Sequence, residues 1–243
     1  MKSNKNSLNS VSLSKYLAQA GVASRRKVVD IIKSKVVTIN EIVITEPGYK
    51  VQSTDCIKVN NQQVIAQSKL YILLNKPKDC ITTLSDEKGR CNVIDVIGKD
   101  IKERIYPIGR LDRNTTGVLL LTNDGELAQR LSHPSFKIEK IYYVRLNKVF
   151  TRADMQKIRE GILLDDGFIN VDEIEYVQGE SKYSVVVALH SGKNRIVRRI
   201  FEFMGYEIKK LDRVEYAGIT KSGLKAGQWR YLSNEEIQYL KKL

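Results

Sequence analysis

Apolar positions change their period along the chain, and each change predicts an element. Between residues 13 and 20 they recur at helical spacing, with Leu13, Tyr16, Leu17 and Ala20 on one face, Ser12 placed to cap the start and Gly21 to stop the end. Ser24 is placed to cap a second helix, in which Val28, Ile31 and Ile32 form the buried stripe and Arg25, Arg26, Lys27, Lys33 and Lys35 stay outside. The period then falls to two, which predicts short strands near residues 36–39, 42–45 and 57–59, with Pro47-Gly48 as a turn. Residues 60–68 are polar and read as a linker.

A new apolar pattern begins at Tyr71. Strands are expected at residues 71–74, 118–122, 142–146, 183–189 and 229–232, and helices at 126–132, 152–160, 195–204 and 235–242. Ser233 followed by Glu236 makes a capping box for the last helix. The run from Val118 to Leu121 has no polar face, so its strand should be buried on both sides. This mixture reads as an α+β protein: a small two-helix, small-sheet module, then a larger domain with a mixed, mostly antiparallel sheet. The expected organisation is a flexible tail at 1–10, a first domain at 11–62, a linker at 63–69 and a second domain at 70–243.

Charge adds a partner to this picture. The 41 Lys and Arg against 28 Asp and Glu leave a net +13, which points to a polyanion. Residues 1–65 carry +6 of it, 10 basic against 4 acidic, so about a quarter of the chain holds nearly half of the excess. Nucleic acid fits better than a membrane surface, because no apolar run approaches the about 18 residues of a membrane span. The polar opening has no signal-peptide core, so a cytoplasmic protein is expected.

Composition also excludes chemistries. Cys56, Cys80 and Cys91 lack the spacing of zinc or redox sites, and with only His133 and His190 beside them no metal site is expected. The same scarcity of histidine weakens any Ser-His-Asp scheme. His190 ends an apolar run, where a hydrogen-bonded structural histidine is the commoner finding. Neither GxGxxG nor GxxxxGK[ST] occurs, which disfavours nucleotide-cofactor enzymes, and no cofactor is expected. Chemistry must then rest on carboxylate, tyrosine and arginine.

Three segments could carry it. Residues 106–117 form a polar, turn-rich loop that feeds the doubly buried strand and holds Asp112 near apolar walls; taken alone, such an aspartate is more often a turn former or cap. Residues 139–146 alternate so that Tyr142, Val144 and Leu146 share the apolar face, where a tyrosine is either a core residue or a stacking platform. Residues 192–200 place Ile196 and Ile200, with Phe203 beyond, along one side of a helix and Arg195, Arg198 and Arg199 along the other, a row suited to phosphate or carboxylate. In the first domain, Arg25, Arg26 and Lys27 read either as a solvated face or as phosphate contacts at a helix N-terminus.

The order of these segments resembles the RsuA/RluB group of ribosomal RNA pseudouridine synthases. The likeness is carried by Gly109-Arg110-Leu111-Asp112, by the run from Thr115 to Gly125, by Leu74-Asn75-Lys76-Pro77, and by Leu13-Ser14-Lys15 with the run from Ala20 to Arg26, which looks like an αL-type, S4-like RNA-binding domain. The resemblance implies Asp112 as the catalytic aspartate, Tyr142 as the tyrosine that stacks on the base and Arg198 as the arginine paired with the carboxylate. It implies that Ile196 and Val197 flank the uracil, and that Arg110, Arg113, Arg195, Lys15, Ser24, Arg25, Arg26 and Lys27 contact RNA. One departure is Glu41, which stands where relatives have a glycine in a tight turn.

The implied reaction is isomerisation of a ribosomal RNA uridine, without redox change or hydrolysis and hence without cofactor. The implied partner is large-subunit RNA, or a ribosome-assembly intermediate, met by a monomer; the run from Gly21 to Arg26 is the part that leans toward the large subunit. Asp112 must act ionised, and since burial alone opposes that, Arg198 is expected beside it. The rivals are a non-catalytic RNA-binding or assembly factor on the same scaffold, and a hydrolase pairing Asp112 with Asp124.

Overall fold

The computed structural model describes residues 11–98 and 100–243; the expected tail at 1–10 lies outside the described residues. Contacts divide the chain into two compact units that meet in sequence at Lys69 and Leu70.

In the first unit Ser12 caps α1 (Leu13–Gln19) by accepting from the Lys15 amide, and Ser24 caps α2 (Arg25–Lys33) by accepting from the Lys27 amide. Leu13, Leu17, Val28 and Ile32 meet Val37, Ile39, Val51 and Ile57 in a small core, with Ile31 at its edge. The sheet comprises β1 (Val37–Ile39), β2 (Ile42–Val43), β3 (Ile57–Val59) and β4 (Gln62–Gln63), in the order β2-β1-β3-β4 and antiparallel throughout. Its two hairpins turn on Asn40-Glu41 and Asn60-Asn61, all four at positive φ, the pattern that matches strand twist in two-residue loops. Glu41 therefore adopts the glycine-like conformation at φ 68 and forms an ion pair with Lys58. The expected linker at 60–68 begins instead with a turn and a strand, since the asparagines that make it polar are turn formers.

The second unit is built on a sheet of seven main strands. In chain order its main elements are β5 (Tyr71–Lys76), α3 (Val93–Ile97), β6 (Thr116–Thr122), α4 (Gly125–Ser132), β7 (Lys140–Leu146), α5 (Arg152–Glu160), β8 (Ile162–Leu164), β9 (Gly167–Ile169), β10 (Glu173–Tyr176), β11 (Ser184–Leu189), α6 (Ile196–Phe203), β12 (Ile208–Tyr216), β13 (Trp229–Tyr231) and α7 (Asn234–Lys242). The sheet order is β10-β11-β7-β12-β6-β5-β13, antiparallel except where β12 runs parallel to β6. β6 is buried on both faces: Val118 and Leu120 join one apolar cluster, Leu119 and Leu121 another. A third cluster packs α5 and α6 against β7 and β11 through Phe150, Ile158, Ile200, Phe201 and Val185. Ser233 and Glu236 close the capping box of α7.

Two expectations are corrected. The apolar side of α6 is Ile196, Val197, Ile200 and Phe201, while Phe203 is 59% exposed; the stripe follows steps of one, three and four, which carries it past Phe203. The second is an omission. β12, in the middle of the sheet, has the sequence Ile-Lys-Lys-Leu-Asp-Arg-Val-Glu-Tyr, whose charges conceal a strand. It is buried because its charges find partners: Asp212 accepts from Thr116 Oγ1 at 2.7 Å and Lys221 Nζ at 2.6 Å, and Arg213 Nε donates to the Val118 carbonyl at 2.8 Å. No helix among the described residues is long and apolar enough to cross a membrane.

Candidate active site

Asp112 is presented by a loop fastened on both sides. Thr82 Oγ1 donates to the Leu111 carbonyl at 2.8 Å and accepts from the Leu111 amide at 3.2 Å, while the Leu111 side chain is buried beside Ile72, Leu74 and Leu119. Past the aspartate, Lys76, fully buried at the end of β5, donates to the Arg113 carbonyl at 3.2 Å and the Pro77 carbonyl at 2.9 Å. Burial holds the Lys76 ammonium below the usual lysine range, with the Asp112 charge among the forces acting against it. The Thr115 amide donates to the Asp112 carbonyl at 3.0 Å and closes a turn. At Gly117, φ is +108 and an added Cβ would stand 2.1 Å from the Arg213 carbonyl oxygen, so only glycine allows β6 this close to β12.

Across from the loop lies the start of α6. Arg195 Nη1 donates to Asp112 Oδ2 at 3.4 Å, and Arg198 Nε lies 3.5 Å from the same oxygen while Arg198 Nη2 donates to Thr115 Oγ1 at 3.4 Å. The expected pair of Asp112 and Arg198 is thus present, joined by a second cation that the helical pattern had put on the outer face. Arg195 precedes the helix in left-handed conformation at φ 48, which turns its side chain back over the cleft. Arg199, the third of the row, reaches Asp165 and Asp166 in the turn between β8 and β9, and Lys193 donates to the Asp166 carbonyl at 2.8 Å. The Arg199 guanidinium holds the Asp166 carboxyl down at about 2. All three arginines therefore face carboxylates.

Between loop and helix is a cleft of about 170 Å³ lined by Asp112, Tyr142, Ile196, Val197, Arg198 and Arg213, among others. Tyr142, half-buried on β7, turns to the same side as Val144 and Leu146, as the alternation predicts. Arg110, exposed, lines the same cleft, whereas Arg113 points away to Asp79 at 3.3 Å. Asp112 is 35% exposed, so its carboxylate is not sealed in a dry pocket; one side is open. The five remaining candidates lie in the first unit: Arg25, Arg26 and Lys27 are exposed in the first turn of α2, Ser24 uses its hydroxyl as the cap, and Lys15 is on α1.

Several residues at the cleft escape sequence reasoning. Lys76 stands in the Asn-Lys-Pro run, yet nothing in the run marks its ammonium as the support of a loop 37 residues away. Lys140 stands two before Tyr142 and shares its face of β7, a signal that the period of two does carry. Arg213 hides among the charges of β12. Asp124, by contrast, is buried as the cap of α4, accepting from the Glu126 and Leu127 amides and from Tyr71 Oη at 2.8 Å, which removes it from any pair with Asp112. Burial and this bond push the Tyr71 hydroxyl well up. His190 is held by Asp172 at 2.7 Å, and the cysteines are free thiols. Among the described residues no three His, Cys, Asp or Glu side chains are grouped to hold a metal ion.

Comparison with known proteins adds sequence relatives to this geometry. The RNA pseudouridylate synthase family matches residues 70–203, and the S4 domain matches residues 11–57. Ribosomal large subunit pseudouridine synthase B of Bacillus subtilis is 42% identical over 95% of this chain and 96% of its own length. An uncharacterized RNA pseudouridine synthase of Aquifex aeolicus is 38% identical, over 96% of this chain and 94% of its own. A solved pseudouridylate synthase superposes with a TM-score of 0.67 at 25% identity, covering 95% of this chain and all of that one.

Proposed function

We propose, from the premise that the chain belongs to the RNA pseudouridylate synthase family and is an RNA pseudouridine synthase with an S4 domain, that its substrate is a uridine of large-subunit ribosomal RNA and that Asp112 begins the reaction. The chain is an isomerase that binds RNA. The observation that carries the assignment of Asp112 is a carboxylate on a loop whose backbone Thr82 and Lys76 hold at Leu111 and Arg113, met from the front by Arg195 and Arg198 within 3.5 Å.

Isomerisation breaks the bond from uracil N1 to ribose C1′, turns the ring, joins C5 to C1′ and moves the C5 proton away while N1 gains one. A uridine must first leave its stack, at a cost of a few kcal/mol. Tyr142 offers a ring for the base to stack on, worth about 1 to 3 kcal/mol, with Ile196 and Val197 as apolar walls. Asp112 then acts as an anion on the sugar, and Arg198 and Arg195 orient it and balance its charge. Arg110 at the rim of the cleft and Arg113 on the loop beside it meet the RNA backbone, as do Lys15, Ser24, Arg25, Arg26 and Lys27 of the S4 domain. The protein works as a monomer in the cytoplasm, on large-subunit RNA or an assembly intermediate. The choice of subunit rests on what the relatives act on by name: several, including those of Bacillus subtilis and Buchnera aphidicola, are large-subunit enzymes.

The test is to incubate the purified chain with each unmodified ribosomal RNA and to map pseudouridine by carbodiimide-stop primer extension. One new stop in the large-subunit RNA is expected. A stop in the small-subunit RNA would reassign the substrate, and no stop in either would return the chain to the non-catalytic reading.

A further inference from the structure

We propose that Arg213 and Lys140 form a cationic floor to the cleft that takes up the negative charge the uracil ring acquires when its bond to the ribose breaks. The inference rests on the reading of this cleft as the uridine site and adds to it two groups that touch the base rather than the sugar.

The two cations are built into adjacent strands. Arg213 stands opposite Tyr142 in the register of β12 and β7, and Lys140 stands opposite Tyr216. Both line the cleft that holds Asp112. They also lie at one aromatic ring: the Arg213 guanidinium carbon is 4.5 Å from the Tyr216 centroid and Lys140 Nζ is 5.9 Å from it. Arg213 is only 2% exposed; its Nε donates to the Val118 carbonyl, and its Nη2 is buried without a partner. Lys140 Nζ donates to two neutral carbonyls, Ile138 at 2.7 Å and His190 at 2.9 Å. The carboxylates at hand are engaged elsewhere: Asp112 by Arg195 and Arg198, Asp212 by Lys221 and Thr116, Asp172 by His190.

Two cations thus stand together beneath the cleft, and among the described residues neither is in an ion pair with a carboxylate, an arrangement that costs stability. Burial, and then the charge of Arg213, draw the Lys140 ammonium down to about 8, against the pull of the Asp172 charge. Such a site is poised for negative charge that develops during reaction. The same cleft presents a tyrosine ring and three aliphatic side chains: Tyr142, Leu211, Ile196 and Val197. Those surfaces suit a pyrimidine ring. When the N1–C1′ bond breaks, its electron pair goes to N1 and is shared with the two carbonyl oxygens. Arg213 and Lys140 would donate to those oxygens while the ring turns. The charge is discharged as C5 joins C1′, the C5 proton leaves and N1 takes up a proton. No oxidant, reductant or further reactant enters.

A group that stabilises the departing ring matters less when the ring departs more easily, and 5-fluorouracil is the less basic leaving group. The experiment measures single-turnover cleavage of the glycosidic bond in a substrate RNA whose target nucleotide is uridine or 5-fluorouridine, with the wild-type chain, Lys140→Met and Arg213→Gln. Each variant should slow cleavage of uridine about 100-fold, in line with the loss of a donor to a developing oxyanion, and slow 5-fluorouridine at least tenfold less, with RNA affinity unchanged. Equal slowing on both substrates would reduce the pair to a structural role and overturn the proposal, as would weaker RNA binding with a shallower salt dependence, which marks a phosphate contact. The wild-type chain supplies an arm independent of variant folding: its two cleavage rates should agree within about tenfold, because the protein provides the stabilisation. A larger acceleration on 5-fluorouridine would overturn it too. Wild-type turnover of unmodified uridine tests the underlying reading separately.

Discussion

Asp112→Asn keeps the size and most bonding of the side chain and removes its charge. Conversion of uridine should fall at least about 1000-fold, while RNA affinity stays within about twofold because backbone phosphates dominate binding. Single-turnover assay beside filter binding checks both halves. Arg198→Ala should lose turnover as well; Arg195→Ala should lose less, since Arg198 still faces Oδ2 and bonds Thr115. Gly117→Ala probes the backbone instead. The new Cβ would meet the Arg213 backbone at a φ that side chains avoid, and we expect a loss of about 3 kcal/mol or more in urea unfolding. At this scale the sequence was readable wherever a local motif surrounded the residue. Asp112, Tyr142 and Arg198 lie in such motifs; Arg213 and Lys76 act on chain far away in sequence and leave no local mark.

Among the elements, α6 depends on its anchor. Arg199 ties it to Asp165 and Asp166, and its first turn carries Arg198 to the Asp112 loop. Asp166→Asn loosens this tie at an exposed site, where solvent screens an ion pair strongly, so kcat should fall about fivefold at most with KM unchanged. The pH dependence has a definite sign. The folded Asp166 carboxyl is held at about 2, below its ordinary 3.8, so its contribution is complete above 3.8 and is lost as pH falls through 2. Denaturant unfolding of wild type and Asp166→Asn should therefore differ by a constant amount from neutrality to about pH 4, and the gap should close toward pH 2; a gap that closes already at pH 6 would contradict the clasp. The longer helices follow from periodicity and caps, with Ser12, Ser24 and Ser233 each acting as the sequence places them, while the short α3 and β8 do not. β12 does not follow, since alternation measures apolar content and its charges are buried by pairing.

For the molecule as a whole, the excess positive charge is densest in the first unit. The S4 unit gathers Arg25, Arg26 and Lys27 in the exposed first turn of α2, and the joint replacement of these three by Ala should lower the slope of log affinity against log salt by about 2 to 3 without altering the fold. Titration at several salt concentrations, with circular dichroism as control, tests this; an unchanged slope would remove α2 from the RNA surface. The amino-acid sequence by itself determined the α+β class, the caps and the doubly buried strand, because these reside in spacings of a few residues. Only the tertiary structure decided that a charged strand lies at the centre of the sheet, that Arg195 turns back to Asp112, and that Lys140 and Arg213 stand together beneath the cleft. The reason is that electrostatic pairing acts through space, so a buried charge is stabilised by partners up to about a hundred positions away, and linear order carries no record of that distance.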